Sequence, residues 1–262
     1  MIFKQYRYEP LGQASYLIGC TRAREAAVVD PIADLGAEHY ALEAADFGLT
    51  ITRVLETHVH ADFISCAREL AAMTGAPHHL HESAPVRYPF QPLRDGQVLE
   101  LGRIGIEVLH TPGHTPEHCC YLVTDRSRGS EPWFLLTGDS LFVGDVGRPD
   151  LLLGDPEADV MGQEERVRAL FRSLRERLLR LPDWVEVYPA HYGGSSCGGV
   201  NMSGKPSSTI RFERHHNLAL GQPDEAAFAR FVAESLRAMP EDYRRIKSIN
   251  LGLVERPEAA VR

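Results

Sequence analysis

No Cys-x-x-Cys pair occurs in the chain, and its five cysteines, Cys20, Cys66, Cys119, Cys120 and Cys197, are an odd number. A disulfide framework or a zinc knuckle of paired thiols is therefore not expected, and a reducing cytoplasm suits the pattern best. Uninterrupted apolar runs of bilayer-spanning length are missing, and the amino terminus M-I-F-K-Q-Y-R-Y-E-P has neither the apolar stretch nor the small-residue cleavage site of an export signal. We expect a soluble, unexported protein with no membrane partner. Excess positive charge is missing too. A formal net charge of -8 and a pI near 5.8 argue against nucleic acid or an anionic membrane as the main partner. There is no convincing internal repeat and no low-complexity linker.

What is present is an ordinary globular composition: 262 residues, 44% hydrophobic and 24% charged, enough for one large domain or two small ones. Short apolar runs bounded by turn residues predict strands at 14–19, 26–30 and 51–57. Between the last two, D-L-G-A-E-H-Y-A-L-E-A-A-D-F-G has helical spacing and Gly48 as its stop. A helix is expected over 64–74, and strands near 97–100, 104–110, 118–124 and 133–137. Residues 164–181 predict an amphipathic helix whose arginines form a solvated face rather than a nucleic-acid patch, because glutamates are interspersed. A strand V-E-V-Y-P, a Gly/Ser-rich loop over 193–208 and helices near 207–219 and 224–238 complete the α/β pattern.

Four pieces place a His or Asp directly after a β-type run: T-H-V-H-A-D at 57–62, T-P-G-H-T at 111–115, L-T-G-D-S at 136–140 and Y-P-A-H at 188–191. Strand carboxyl ends are where α/β sheets usually hold their sites, so one shared site is the economical explanation. A lone histidine is usually structural or solvated, and His39, His78, His79, His81, His215 and His216 are read that way. His110 and His118 stand between the two readings, as supports of the site or as ordinary strand residues. Cys119 and Cys120 begin a strand and point to opposite faces, so one of them is expected in the core.

Together the four pieces resemble the metallo-β-lactamase fold superfamily over roughly residues 10–195. The resemblance implies an αββα sandwich with a metal at one edge, here with a C-terminal helical extension. It divides the chain into a catalytic domain at 1–200 and a loop with helices at 201–262 packing on the same domain. Dinuclear hydrolases of the superfamily carry H-x-H-x-D-H in the first piece, and this chain has Phe63 in the last position. The chain is more similar to the persulfide dioxygenase branch, which uses one iron. That resemblance implies His58, His114 and Asp139 as ligands of one Fe(II) per chain, a two-imidazole, one-carboxylate face suited to non-haem iron, with zinc as the competing metal. His60, Asp62 and His191 would then hydrogen-bond ligands or metal-bound water. The run G-D-V-G-R-P-D at 144–150 also resembles this branch, and Arg148 and Asp150 are expected to form a charged pair behind the metal loop, unless they are simply the ion pair of a turn.

Members using glutathione persulfide resemble P-A-H-D-Y and N-P-R where this chain reads Pro189-Ala190-His191-Tyr192-Gly193 and Asn217-Leu218-Ala219. The loop around Cys197 is instead similar to the bacterial group associated with rhodanese domains, which implies a separate rhodanese-type sulfurtransferase as partner. Cys197 could form a mixed persulfide if backbone amides lower its pKa, or be an inert loop thiol. Lys205, Arg211 and Arg214 could bind an anionic thiol carrier or be helix-surface charges. The leading expectation is an Fe(II)-dependent dioxygenase converting a low-molecular-weight thiol persulfide and O2 to sulfite and thiol. The alternatives are a zinc thioesterase of the glyoxalase II type, in which Asp62 assists a metal-bound water, and a non-catalytic metal-binding or redox-sensing module using Cys197. The oligomeric state is left open, a homo-oligomer included.

Overall fold

A computed structural model describes residues 1–150 and 161–256. Two six-stranded mixed sheets form its centre. The first carries β1 (Ile2–Tyr8), β2 (Gln13–Cys20), β3 (Glu25–Val29), β4 (Thr50–Leu55), β5 (His78–His81) and β6 (Gln91–Leu93), side by side in that order. β1 to β3 are antiparallel, and β3 to β6 run parallel. The second carries β7 (Val98–Leu101), β8 (Ile104–His110), β9 (Cys119–Asp125), β10 (Phe134–Gly138), β11 (Glu186–Pro189) and β12 (Ser208–Thr209). Its strands are antiparallel except for the β10–β11 pair. Among the described residues six α-helices accompany them: α1 (Ala37–Asp46), α2 (Ala67–Thr74), α3 (Gln163–Arg172), α4 (Ile210–His216), α5 (Glu225–Ser235) and α6 (Tyr243–Asn250).

Strand alternation builds the layers. On β2, Ala14, Tyr16, Ile18 and Cys20 point into the core shared with the second sheet, where they join Val108, Tyr121, Val123 and Leu136. Leu17, between them, joins Tyr40 of α1 and Leu70 of α2 on the outer face. The second sheet repeats the scheme, with Leu109, Cys120, Leu122 and Leu135 packed with Leu170 of α3 and Phe228 of α5. Each such fully buried side chain contributes about 1.5–3 kcal/mol. The expectation that only one of Cys119 and Cys120 is core is corrected: β9 is covered on both faces, so both thiols are buried, one in each layer.

Most expected elements lie within a few residues of their predicted bounds. The helix expected from 64 starts at Ala67, because the preceding backbone bonds to the end of the first βα connection: Ala33 N–H to the Ile64 carbonyl at 3.0 Å and Cys66 N–H to that of Pro31 at 3.0 Å. The single helix expected over 164–181 is α only to Arg172, then a wider π turn to Arg177 and a tight turn to Arg180. The Ser173 hydroxyl, where the change begins, donates to the Pro112 carbonyl at 2.8 Å. Strands β1, β5 and β6 and helix α6 were not anticipated. Of the 201–262 region, residues 257–262 lie outside the described residues. Among the described residues no helix is long and apolar enough to cross a membrane.

The histidines of β5 are structural in a way that makes a testable statement about acid stability. His78 pairs with buried Glu56 at 2.6 Å, and His81 stacks on His110 with ring centroids 3.9 Å apart. His79 has both ring nitrogens buried without a hydrogen-bond partner, and burial, aided by the nearby Arg53 charge, lowers its pKa to about 4. An unfolded chain takes up that proton near pH 6.5 and the folded one only near 4, so stability falls as pH drops through this window. His79→Leu is expected to flatten the acid limb. Urea midpoints at pH 7 and pH 5 check it; an equal drop in both proteins would exclude His79 as a source.

Candidate metal centre

The site lies where the carboxyl ends of β3, β4, β10 and β11 and the β8–β9 connection meet. Asp30, directly after β3, has a left-handed backbone, φ +52°, uncommon for a residue with a Cβ. Its carboxylate accepts the Thr57 N–H at 2.7 Å and the Thr57 hydroxyl at 2.9 Å, fixing the residue that leads into the first motif. Having donated to Asp30, the Thr57 oxygen is left to accept from His58 Nδ1 at 3.0 Å. That places the proton of His58 on Nδ1 and leaves Nε2 with a free lone pair. His114 reaches the same state by donating Nδ1–H to the Arg148 carbonyl at 2.8 Å. Burial holds both imidazoles well below the usual histidine pKa, so both are neutral.

Asp139 follows β10 at Gly138, whose φ of +51° places its α-carbon against two neighbours. A Cβ there would lie 2.5 Å from His118 Nε2 and 2.8 Å from the Thr57 hydroxyl. Only glycine lets the chain pass, and the Asp139 N–H then donates to His118 Nε2 at 2.9 Å. His118 is thus a support for the Asp139 backbone. Its pKa is lowered to about 3, first by burial and then by the neighbouring His60. Gly147 is required for a different reason: a Cβ would come within 1.7 Å of the Asp139 carbonyl oxygen.

Three atoms converge: His58 Nε2 lies 3.8 Å and His114 Nε2 3.3 Å from Asp139 Oδ2. Each is buried without a hydrogen-bond partner. Orphaned polar atoms in such positions cost free energy unless something binds them. Their mutual spacing matches that of neighbouring ligands on one small cation, about 3 Å apart. The donor set therefore fits a resident metal ion.

The residues expected to support these ligands surround them. His191 Nδ1 contacts Asp139 Oδ1 at 2.7 Å and its Nε2 contacts Asp62 Oδ2 at 2.5 Å. Burial alone would lower the His191 pKa, but the two carboxylates outweigh it and raise it well above the ordinary value, so the ring carries a proton between them. Asp62 is held down in return, burial being outweighed by His191. His60 Nε2 is 3.0 Å from Asp30, while its Nδ1 is buried and unpartnered. Arg148 and Asp150 form a two-pronged ion pair at 2.7 and 2.8 Å, and Arg148 Nη1 donates to the Ser196 carbonyl at 3.0 Å. The pair fixes the segment whose carbonyl orients His114.

The four residues considered for the substrate side, each with a structural alternative, take the following positions. Cys197 is fully buried, its Sγ 3.4 Å from the Tyr243 hydroxyl, and its pKa is raised well above the usual thiol value by burial and by the Asp62 and Asp139 charges. Of the two readings of Cys197, this environment suits the inert thiol rather than one whose pKa is lowered. Arg211 and Arg214 both pair with Asp183, and Lys205 lies over the Phe212 ring beside Val143. None of the three lines the cavity of about 390 Å³ that opens beside Asp62 and Phe63, which is walled also by Leu11, Asp34, Tyr243 and Ile246. A larger depression of about 600 Å³ between α3 and α5 is lined by no residue of the site, whereas the smaller one reaches Asp62, which contacts His191, and is therefore the better candidate for a substrate cavity.

The family model of the metallo-beta-lactamase superfamily matches residues 8–191, which include every ligand just described. The chain belongs to that superfamily. Human mitochondrial persulfide dioxygenase ETHE1 is 27% identical over 247 residues, 87% of this chain and 86% of that one. The crystal structure of ETHE1 from Myxococcus xanthus superposes with a TM-score of 0.80 at 27% identity, covering 97% of this chain and 99% of that one. A hydroxyacylglutathione hydrolase from a Polaromonas species is 34% identical over 180 residues, 68% of this chain and 61% of that protein.

Sequence reasoning missed Asp30, Glu117, Lys247 and Asn250. Asp30 had a signal, a carboxylate ending the run A-A-V-V-D at a strand terminus. Glu117 lies three residues after His114, and its carboxylate accepts the Val59 N–H at 3.0 Å. For Lys247 and Asn250 no local signal exists.

Proposed function

We propose that the chain is a mononuclear Fe(II) persulfide dioxygenase acting on a low-molecular-weight thiol persulfide: RSSH + O2 + H2O yields RSH and H2SO3, with a net four electrons passing to O2. The observation that carries this reading is the open face itself: two neutral imidazoles and one carboxylate, each with one bare buried atom, beside a cavity and next to Phe63 where dinuclear hydrolases have a histidine. Iron held by His58, His114 and Asp139 would supply O2 reduction. The chain's own residues do the rest. Asp62 Oδ1, buried and unpartnered beside the cavity, accepts the S–H proton of an entering persulfide. His191 fixes the orientation of Asp139, and Phe63, Tyr243 and Ile246 give the cavity an apolar wall that limits water. With Cys197 buried and unionised, the redox-sensing alternative loses its accessible thiolate. A reducing compartment, which suits the five free cysteines, and a separate sulfurtransferase as supplier belong to the same proposal.

A zinc thioesterase is the second reading, favoured by the 34% identical hydrolase and by the free Asp62 oxygen, which suits a water-activating base. The separating experiment loads the protein anaerobically with iron and records O2 uptake with glutathione persulfide and coenzyme A persulfide, assaying sulfite and metal on the same sample. We expect uptake with about one sulfite per O2. Full iron occupancy without uptake, together with thioester hydrolysis by the zinc form, would replace the dioxygenase by the hydrolase.

A further inference from the structure

The metal-bearing loop cannot satisfy its own backbone. Residues 57–65 lie between β4 and α2 and carry His58, His60 and Asp62 inward, so peptide groups there are buried outside any sheet ladder. Buried peptide groups need partners from elsewhere. Several of them come from α6, nearly 190 residues downstream. Lys247 Nζ donates to the Val59 carbonyl, and its ammonium stands 3.8 Å from Glu117, whose carboxylate takes the Val59 N–H. Both sides of the residue between His58 and His60 are thereby gripped by one buried ion pair. Asn250 donates to the His60 carbonyl at 3.0 Å and the Phe63 carbonyl at 2.7 Å and accepts the Ser65 N–H at 3.1 Å.

Tyr243, Lys247 and Asn250 are spaced i, i+4, i+7, a single helix stripe. All three are buried: Lys247 is 0% exposed, Tyr243 and Asn250 6%. A core-facing stripe of this kind is normally apolar, and a lysine kept there sacrifices hydration that only a specific task offsets. Neighbouring positions Tyr243 and Ile246 line the cavity beside Asp62 and Phe63. The helix end is itself anchored, with the Asn250 carbonyl accepting from the Tyr88 hydroxyl at 3.0 Å and the Leu251 carbonyl from the Arg87 N–H at 2.8 Å.

We propose that Lys247 and Asn250 are positioning residues that set the backbone of the 58–63 loop, so that the metal site is assembled jointly by the first motif and by the helix that walls the substrate cavity. The proposal rests on the reading of His58, His114 and Asp139 as metal ligands. Its test uses Co(II) as probe, with affinity measured by chelator competition and geometry by the visible d–d spectrum. Lys247→Met and Asn250→Asp are compared with Val28→Ala, a cavity in the layer formed by β2, β3, α1 and α2 that lowers the unfolding midpoint without touching the loop. Glu117→Gln, which keeps an acceptor for Val59 while removing the charge facing Lys247, is a milder fourth variant should the first two fail to accumulate folded.

The loop variants are expected to bind Co(II) at least tenfold more weakly with a shifted spectrum, whereas Val28→Ala retains wild-type affinity and spectrum at a lowered midpoint. Loop variants, Glu117→Gln among them, that are folded and within twofold of wild type in affinity, with an unchanged spectrum, would overturn the proposal and leave α6 as scaffold. Wild-type protein that binds no Co(II) would instead overturn the ligand assignment beneath it.

Discussion

Asp139→Ala is expected to reduce bound metal from about one equivalent to less than about a tenth, and to remove persulfide-dependent O2 uptake to at least a hundredfold below wild type. The size follows from what the carboxylate does twice over. Among the described residues its Oδ2 is the anionic atom that pairs with both His58 Nε2 and His114 Nε2, and two neutral imidazoles alone hold a divalent cation weakly. Its Oδ1 is one of the two acceptors for His191, so the substitution leaves that imidazolium on Asp62 alone. The fold should survive, because the backbone N–H of residue 139 still reaches His118 and Gly138 is untouched. His191→Gln gives the graded comparison: it disturbs Asp139 without removing a metal-facing atom, and loss of an outer hydrogen bond of this kind weakens binding by about 10- to 100-fold. Metal analysis and O2 electrode traces on both variants check the ranking. Stoichiometric metal with full activity in Asp139→Ala would sink the assignment.

How far the sequence could be read follows the range of the forces involved. Strands β2, β3, β4 and β8 to β11 are legible because their runs are apolar and closed by Gly, Pro or charge, and His58, His114, Asp139 and His191 are legible because each comes directly after, or in a short turn beyond, such a run. Strand β5 reads His-His-Leu-His, and no apolar period marks it; its histidines are buried by Glu56, Tyr88 and His110 from other parts of the chain. Helix α6 is hidden for the opposite reason. Its inner stripe contains Lys247 and Asn250, the residues an amphipathic reading assigns to solvent, and only the unsatisfied carbonyls of a loop 188 residues away explain why they are inside. Of the two readings left open for Cys197, the inert thiol suits its surroundings, because Phe142, Met202 and Tyr243 enclose it, and nothing in its glycine-flanked loop marks that enclosure in advance.

Phe63→His tests why one metal, rather than two, is expected here. Phe63 is 3% exposed, with its ring 4.2 Å from that of His60 and 6.5 Å from that of His191. An imidazole in its place would stand beside Asp62 and His191, whose other neighbour able to bind a metal is the protonated thiol of Cys197, and would offer a second cation a further nitrogen ligand. In the present chain the charge of Asp62 and Asp139 is already partly balanced by the proton on His191, so a second metal must displace that proton as well as find a ligand. Zinc content is therefore expected to rise from about one equivalent toward two in the variant. Affinity for the second equivalent should strengthen with pH by up to about tenfold per unit, because binding releases a proton. Iron-dependent O2 uptake should fall as the cavity beside Asp62 fills. Titration with zinc at pH 6.5 and 8.0, with proton release followed by an indicator, measures the first two, and an oxygen electrode on the iron-loaded variant measures the third. A variant that still takes one equivalent at both pH values would show that the missing histidine is not the barrier and that the His191 proton, clamped between two carboxylates, excludes the second metal by itself.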